Sequence, residues 1–194
     1  MRKNTNQSFV SNQQLEKEFK RTASKEKRLV MLRRIVSLLI LIVLSAMLVS
    51  ILYFPIYHIT GSSMVPTLEQ GMIVVASRCH RFAPGDVVSV NYENQILISR
   101  LIGMPGDIIE IDVHGIVSVN DVPLHETYLH EQVSGASDLT YPYQVPERAY
   151  FVLGDNRENS IDSRTSAIGC IKENALDGKI IFCVWPLDRI GLIG

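Results

Sequence analysis

Hydroxyl, carboxyl and guanidinium side chains crowd into three short segments of this 194-residue chain. The first is Gly61-Ser62-Ser63-Met64-Val65-Pro66-Thr67-Leu68, the second Ser99-Arg100-Leu101-Ile102-Gly103-Met104-Pro105-Gly106-Asp107. The third is Gly154-Asp155-Asn156-Arg157-Glu158-Asn159-Ser160-Ile161-Asp162-Ser163-Arg164. Hydroxyl-rich sets of this kind are suited to nucleophilic chemistry. A serine attacks a carbonyl if a base within hydrogen-bond reach takes its proton and donors hold the oxyanion. Taken singly, each segment also has a plain structural explanation: a turn, a strand followed by a Pro-Gly-Asp turn, and a polar loop.

The other reactive side chains add little. His58, His80, His114, His125 and His130 lie outside these segments; His58, five residues before Ser63, is the one worth following. There is no His-x-x-x-His and no Cys-x-x-Cys, so no metal and no cofactor is expected. Lys172 and Lys179, the only lysines beyond the N-terminal region, follow the third segment and read as solvated. Cys79, Cys170 and Cys183 are an odd number and read as small core residues, although Cys170 and Cys183 could pair.

The elements that must position these segments begin with an anchor. Residues 1–34 hold ten basic and three acidic residues, a balance of +7, and residues 35–194 hold nine basic and 17 acidic, a balance of −8. Between them runs Ile35–Phe54, twenty residues with no charge. At ~1.5 Å per residue this spans ~30 Å, the thickness of a bilayer core. It is too long and too far from the N-terminus for the apolar core of a cleaved signal peptide. Arg28, Arg33 and Arg34 flank its start, so the positive-inside rule places residues 1–34 in the cytoplasm as a basic tail. The span at 35–54 then leaves residues 55–194 outside. Net charge of −1 gives no reason to expect nucleic acid as a partner.

From Tyr57 onward, Val- and Ile-rich runs alternate with turn signals. The expected strands are Met72–Ser77, Val87–Asn91, Gln95–Ile102, Ile108–Asp112, Val117–Asn120, Ala149–Leu153 and Lys179–Val184. Pro84-Gly85-Asp86, Pro105-Gly106-Asp107 and His114-Gly115 separate them. Only Lys172–Leu176 looks helical, stopped by Gly178, and residues 126–147 read as a loop or small insertion. The fold class is mainly β: one N-terminal transmembrane helix, then a folded β-sheet or partial-barrel domain. On the strand Gln95–Ile102, Ser99 shares a face with Leu97 and Leu101, opposite Ile98 and Arg100.

Together, the anchor, the order of the three segments and their spacing resemble the type I signal peptidase family, membrane-bound serine peptidases that remove signal peptides. The strings Ser-Met-x-Pro-Thr-Leu and Gly-Asp-Asn-Arg-x-x-Ser-x-Asp-Ser-Arg carry the resemblance. Pro84-Gly85-Asp86-Val87-Val88, Val119-Asn120-Asp121 and Trp185-Pro186-Leu187 extend it. It implies Ser63 as nucleophile, with Gly61, Ser62 and the Ser63 N–H around the oxyanion and Met64 and Pro66 beside the substrate. Ser160 would orient the base, and Asp162 with Arg164 would brace the site. The family's base is the lysine directly before Arg-x-Ile-Gly, and related eukaryotic-type enzymes have histidine there. This chain has Ser99 at that position. Arg100 cannot replace it, because a guanidinium does not deprotonate in proteins. Loss of a general base costs ~10²–10⁴ in rate. The resemblance therefore implies two roles. One is a signal peptidase cleaving signal peptides from exported precursors bound as an added strand. The other is that of signal peptidase-like members without the full dyad, which hold pilin precursors during surface pilus assembly in Gram-positive bacteria. The implied partners are secreted or pilin precursors and membrane lipid.

Overall fold

The computed structural model describes residues 12–78, 81–93, 95–129, 133 and 135–193, with side chains from Arg28 onward. The chain forms two compact units, divided between Ile51 and Leu52. Most of the first is a helix, α1 (Asn12–Tyr53). No glycine or proline interrupts it, and Pro55 disfavours helical geometry at Phe54, which ends it. Within its apolar stretch, Ser37 and Ser45 donate to the carbonyls of Arg34 (2.9 Å) and Ile42 (2.8 Å), so these hydroxyls need no water. The part Arg28–Tyr53 is long and apolar enough to cross a membrane. The helix thus starts well before the apolar run that marks it in the sequence.

The second unit is β. Its strands are β1 (Ile56–His58), β2 (Ile73–Ser77), β3 (Val87–Tyr92), β4 (Gln95–Gly103), β5 (Ile108–Ile111) and β6 (Val117–Val119). They continue with β7 (Val122–Pro123), β8 (Tyr143–Gln144), β9 (Ala149–Leu153), β10 (Ile171–Lys172), β11 (Leu176–Trp185) and β12 (Gly191–Leu192). One sheet has the order β1-β2-β11-β3-β4-β9-β10, with β12 also on β11; the other has the order β7-β6-β5-β8. The pairings are antiparallel. The turns at Gly85 and Gly106 join strands that do not pair with each other, β2 to β3 and β4 to β5, and both glycines have positive φ, 91° and 89°. Six of the seven expected strands form within one residue of their expected bounds, and the seventh begins three residues earlier, at Leu176.

One expectation needs correction in part. The stretch Lys172–Leu176 is helical only as a short 3-10 helix, Glu173–Ala175, between β10 and β11, and Gly178 does not stop it because β11 has already begun at Leu176. Gly178 lies inside β11 beside a bulge, where a Cβ would sit 2.8 Å from the Ser77 carbonyl oxygen. Its glycine serves close backbone approach, not helix termination. The described residues of 126–147 are irregular apart from β8, as expected of a loop. Ser137 and Asp138 dock this loop at the end of the third segment: Ser137 Oγ donates to Arg164 O (3.1 Å), and Asp138 accepts from Ser166 N (2.6 Å), two residues beyond it.

The strands β3 and β4 have both faces covered, which is why they are apolar nearly throughout. Val87 and Ile98 pack with Met64, Leu68, Val74 and Ile180. Val88, Leu97 and Leu101 pack with Tyr150, Val152 and Ile171 on the opposite side. Ile102 joins Ile109, Val117, Phe151 and Leu153 where the second sheet meets the first.

Candidate active site

The first segment is a turn pinned by its apolar residues. Met64 and Leu68 are buried, 2% and 0% exposed, and Leu68 N donates to Met64 O (2.8 Å). Ser63 is left half-buried at the edge of that core. Its hydroxyl and its N–H have no hydrogen-bond partner among the described residues, so both are free for a ligand. Gly61 and Ser62 are exposed beside it. Met64, expected beside a substrate, instead has its side chain in the core, because the turn needs that anchor; Pro66 is half-buried.

The third segment meets Ser63 through backbone. Asn156 N donates to Ser63 O (2.9 Å), and Asn156 Nδ2 donates to Ser62 O (3.2 Å). Gly154 is the closest point. A Cβ built there would collide with Ser160 Oγ and lie 2.5 Å from Ser160 Cβ and 2.7 Å from the Ser63 carbonyl oxygen. Only glycine lets these three backbones and one hydroxyl converge. Arg100 pairs with Leu153 across β4 and β9, so one step along each strand sets Ser99 beside Gly154. Ser99 is 4% exposed, on the face where Val88, Leu97 and Leu101 pack. The register thus brings Ser99, Gly154, Ser160 and Ser63 into one neighbourhood. Among the described residues, Ser160 Oγ is buried with no hydrogen-bond partner. A hydroxyl left so costs free energy.

Beneath this neighbourhood lies a layer of buried ion pairs. Arg100 binds Asp155 through Nε (2.8 Å) and Nη2 (2.7 Å), and also reaches Gly85 O (2.7 Å). Thr67 Oγ1 donates to Asp155 (2.5 Å), tying the first segment to the third. Burial lowers the affinity of Arg100 for its proton, but the hydrogen bond and charge of Asp155 outweigh it and hold the guanidinium above its ordinary range. Asp162 takes both arms of Arg164 (2.8 Å each) and accepts from Gly154 N (3.0 Å). Arg157 donates to Gly154 O (3.1 Å) and to Glu126. Tyr128 donates to Glu126 (2.7 Å), and its ring covers the Arg100 guanidinium at 3.9 Å. Burial first, then the hydrogen bond and charge of Glu126, push the Tyr128 hydroxyl well above its ordinary value.

Asp162 and Arg164 therefore brace Gly154, and Ser160 lies against it. Sequence reasoning missed Glu126 and Tyr128. Both come from a polar stretch with no motif, and nothing local marks them as parts of this layer. The roles of Arg100, Asp155 and Arg157 were hidden for another reason, since their partners lie 31–55 residues away. His58, His114 and His125 are exposed, and His80, His130 and Cys79 lie outside the described residues. Lys172 is exposed and Lys179 pairs with Asp86 (2.5 Å). Cys170 and Cys183 are both free thiols, Cys183 in the core; burial raises the Cys170 thiol, partly offset by a hydrogen bond with Tyr143. Among the described residues no group of His, Cys, Asp and Glu is placed to hold a metal ion.

The family model described as signal peptidase, peptidase S26, matches residues 32–185, most of the chain and all three segments. The chain belongs to the signal peptidase, peptidase S26, family. Signal peptidase I P of Bacillus subtilis subsp. natto is 35% identical over 167 residues, covering 79% of this chain and 89% of that relative. Signal peptidase I T of Bacillus subtilis (strain 168) is 32% identical over 165 residues, covering 78% and 84%. A crystal structure of a signal peptidase I from Enterococcus faecalis V583 matches with a TM-score of 0.44 and 30% identity. It covers 51% of this chain and 96% of that one. The chain is thus signal peptidase I-type, and its family is one of peptidases. The mainly β unit after an apolar N-terminal helix is the architecture of this signal peptidase family member.

Proposed function

We propose that this chain is a membrane-anchored signal peptidase I-type protein that engages signal-peptide-bearing precursors at Ser63, and that its hydrolytic step is slow because Ser99 stands where the base belongs. The observation that carries this reading is the buried, unpartnered Ser160 hydroxyl, packed with Ser63 against Gly154. Residues 1–34 form the cytoplasmic tail, 35–54 the span and 55–194 the outer domain. The basic cluster Arg28, Arg33 and Arg34 supports that orientation.

In this reading Ser63 Oγ attacks the scissile carbonyl carbon, and the carbonyl oxygen becomes an oxyanion held by the free Ser63 N–H beside Gly61 and Ser62. The Ser63 proton has no amine to receive it. It passes by water, beside the hydroxyls of Ser99 and Ser160, to the departing amine nitrogen as the peptide bond breaks. A second water then hydrolyses the ester and restores the Ser63 hydroxyl. Asp162 and Arg164 keep Gly154 in place throughout. The substrate is a precursor with an extended segment at its cleavage site, held as an added strand.

A second reading is favoured by Ser99 alone: the same groove holds pilin or other secreted precursors without cutting them, assisting assembly at the cell surface. Reconstitution of the full chain in detergent with a signal-peptide precursor separates the two. Under the first, the natural chain cuts slowly and Ser63→Ala does not cut. If neither cuts but both retain the precursor, the chain works by holding. If neither cuts nor binds, both readings fail.

A further inference from the structure

Among the described residues three carboxylates are buried: Glu126, Asp155 and Asp162. Two belong to the third segment. Glu126 comes from a stretch outside every motif, yet its side chain is 1% exposed and paired with an Arg157 side chain that is 2% exposed. We propose that Glu126 is a positioning residue of the Ser63 site, acting through Arg157 on the Gly154–Asn156 backbone.

Two arms leave Glu126 Oε1. One is Arg157, whose Nε holds the Gly154 carbonyl (3.1 Å) and whose own carbonyl accepts from Arg164 Nη2 (2.8 Å). The other is Tyr128, whose hydroxyl donates to Glu126 and whose ring lies on the Arg100 guanidinium, the partner of Asp155. The peptides on either side of Asp155 are therefore fixed from one carboxylate. Gly154 meets Ser63 and Ser160, and Asn156 N bonds the Ser63 carbonyl. A buried guanidinium needs an anion, and without it the fork of Arg157 turns to other acceptors. Glu126 Oε2 is buried with no partner among the described residues, a cost that packing alone gives no reason to bear.

The proposal rests on Ser63 being the reacting group, but its test needs no substrate. Amide hydrogen exchange is measured on the full chain in detergent, comparing Asn156, which bonds Ser63 O, with Leu101, which bonds Asp86 O in the sheet region. Glu126→Gln should speed Asn156 exchange by about tenfold or more, as expected for a lost charge-assisted hydrogen bond, and leave Leu101 unchanged. Tyr128→Phe, which removes one neutral donor, should speed Asn156 about threefold and carries the test if Glu126→Gln does not fold. Adding Glu126→Gln to Arg157→Gln should change nothing further, because one acts through the other. Equal acceleration of Asn156 and Leu101 overturns the proposal, as that is general loosening. Unchanged Asn156 exchange, or additive effects in the double variant, overturns it too. Normal Asn156 exchange in a natural chain that neither binds nor cuts precursor would count against the Ser63 reading instead.

Discussion

Ser99→Lys should turn this chain into a much faster peptidase. Position 99 is 4% exposed, on a face lined by Val88, Leu97 and Leu101, beside Gly154 and the unpartnered Ser160 hydroxyl. An exposed lysine, near pKa 10.4, is neutral in only about one molecule in a thousand at pH 7.4. Burial here penalises the charged form, and a drop of about 3 units would leave about half of it neutral. Ser160 Oγ would accept from the amine and fix its direction. A base so placed contributes ~10²–10⁴ in rate. Overpacking a serine site with lysine costs about 1–3 kcal/mol, so the variant should fold with a lower urea midpoint. The assay is single-turnover cleavage of a signal-peptide precursor in detergent from pH 6 to 10, with the natural chain and Ser99→Lys/Ser63→Ala alongside. The rate should climb with pH through the depressed pKa of the new lysine, because only the neutral amine takes the proton. A folded Ser99→Lys that binds precursor yet cuts no faster than the natural chain would refute the placement of position 99. Cleavage that survives Ser63→Ala in that background would refute the nucleophile.

Three further outcomes follow from the same geometry. Gly154→Ala should lose precursor cleavage or retention and about 1–3 kcal/mol in urea unfolding, since a backbone oxygen 2.7 Å from the new methyl cannot yield as a side-chain tip could. Asp155→Ala should cost about 3–5 kcal/mol in the same measurement, because the Arg100 side chain, 2% exposed, would be left charged and unpaired. The β unit should lose stability as pH rises above about 10, where tyrosines of the unfolded chain ionise. Burial, and then bonding to Asp177 and Glu126 respectively, raises Tyr57 and Tyr128 in the fold, so their contribution is complete below that pH and is lost as pH climbs toward their folded values. Tyr57→Phe and Tyr128→Phe should each flatten the decline in urea midpoint between pH 9 and 11; an unchanged slope in both would contradict these environments.

The sequence by itself determined whatever depends on neighbours along the chain. Twenty uncharged residues predict an apolar helix because hydropathy is a sum over adjacent residues. The bounds of Ala149–Leu153 are legible because β-branched and aromatic runs end at turn residues. Pro-Gly-Asp at 84–86 and 105–107 predicts turns because glycine alone takes their positive φ freely. The serine at position 99 is equally plain, since the segments around it leave no doubt about its register. Tertiary structure decided the rest. Gly178 ends no helix, because Ser77, a hundred residues earlier by approximate count, approaches its Cα too closely for any side chain. Met64 turns inward because Leu68, Val74 and Ile180 leave a place for it. Glu126 and Tyr128 look like loop residues until Arg157 and Arg100 come to rest against them. Such partners are chosen by desolvation: a guanidinium taken out of water must find a carboxylate in space, and no local pattern records which one it will be.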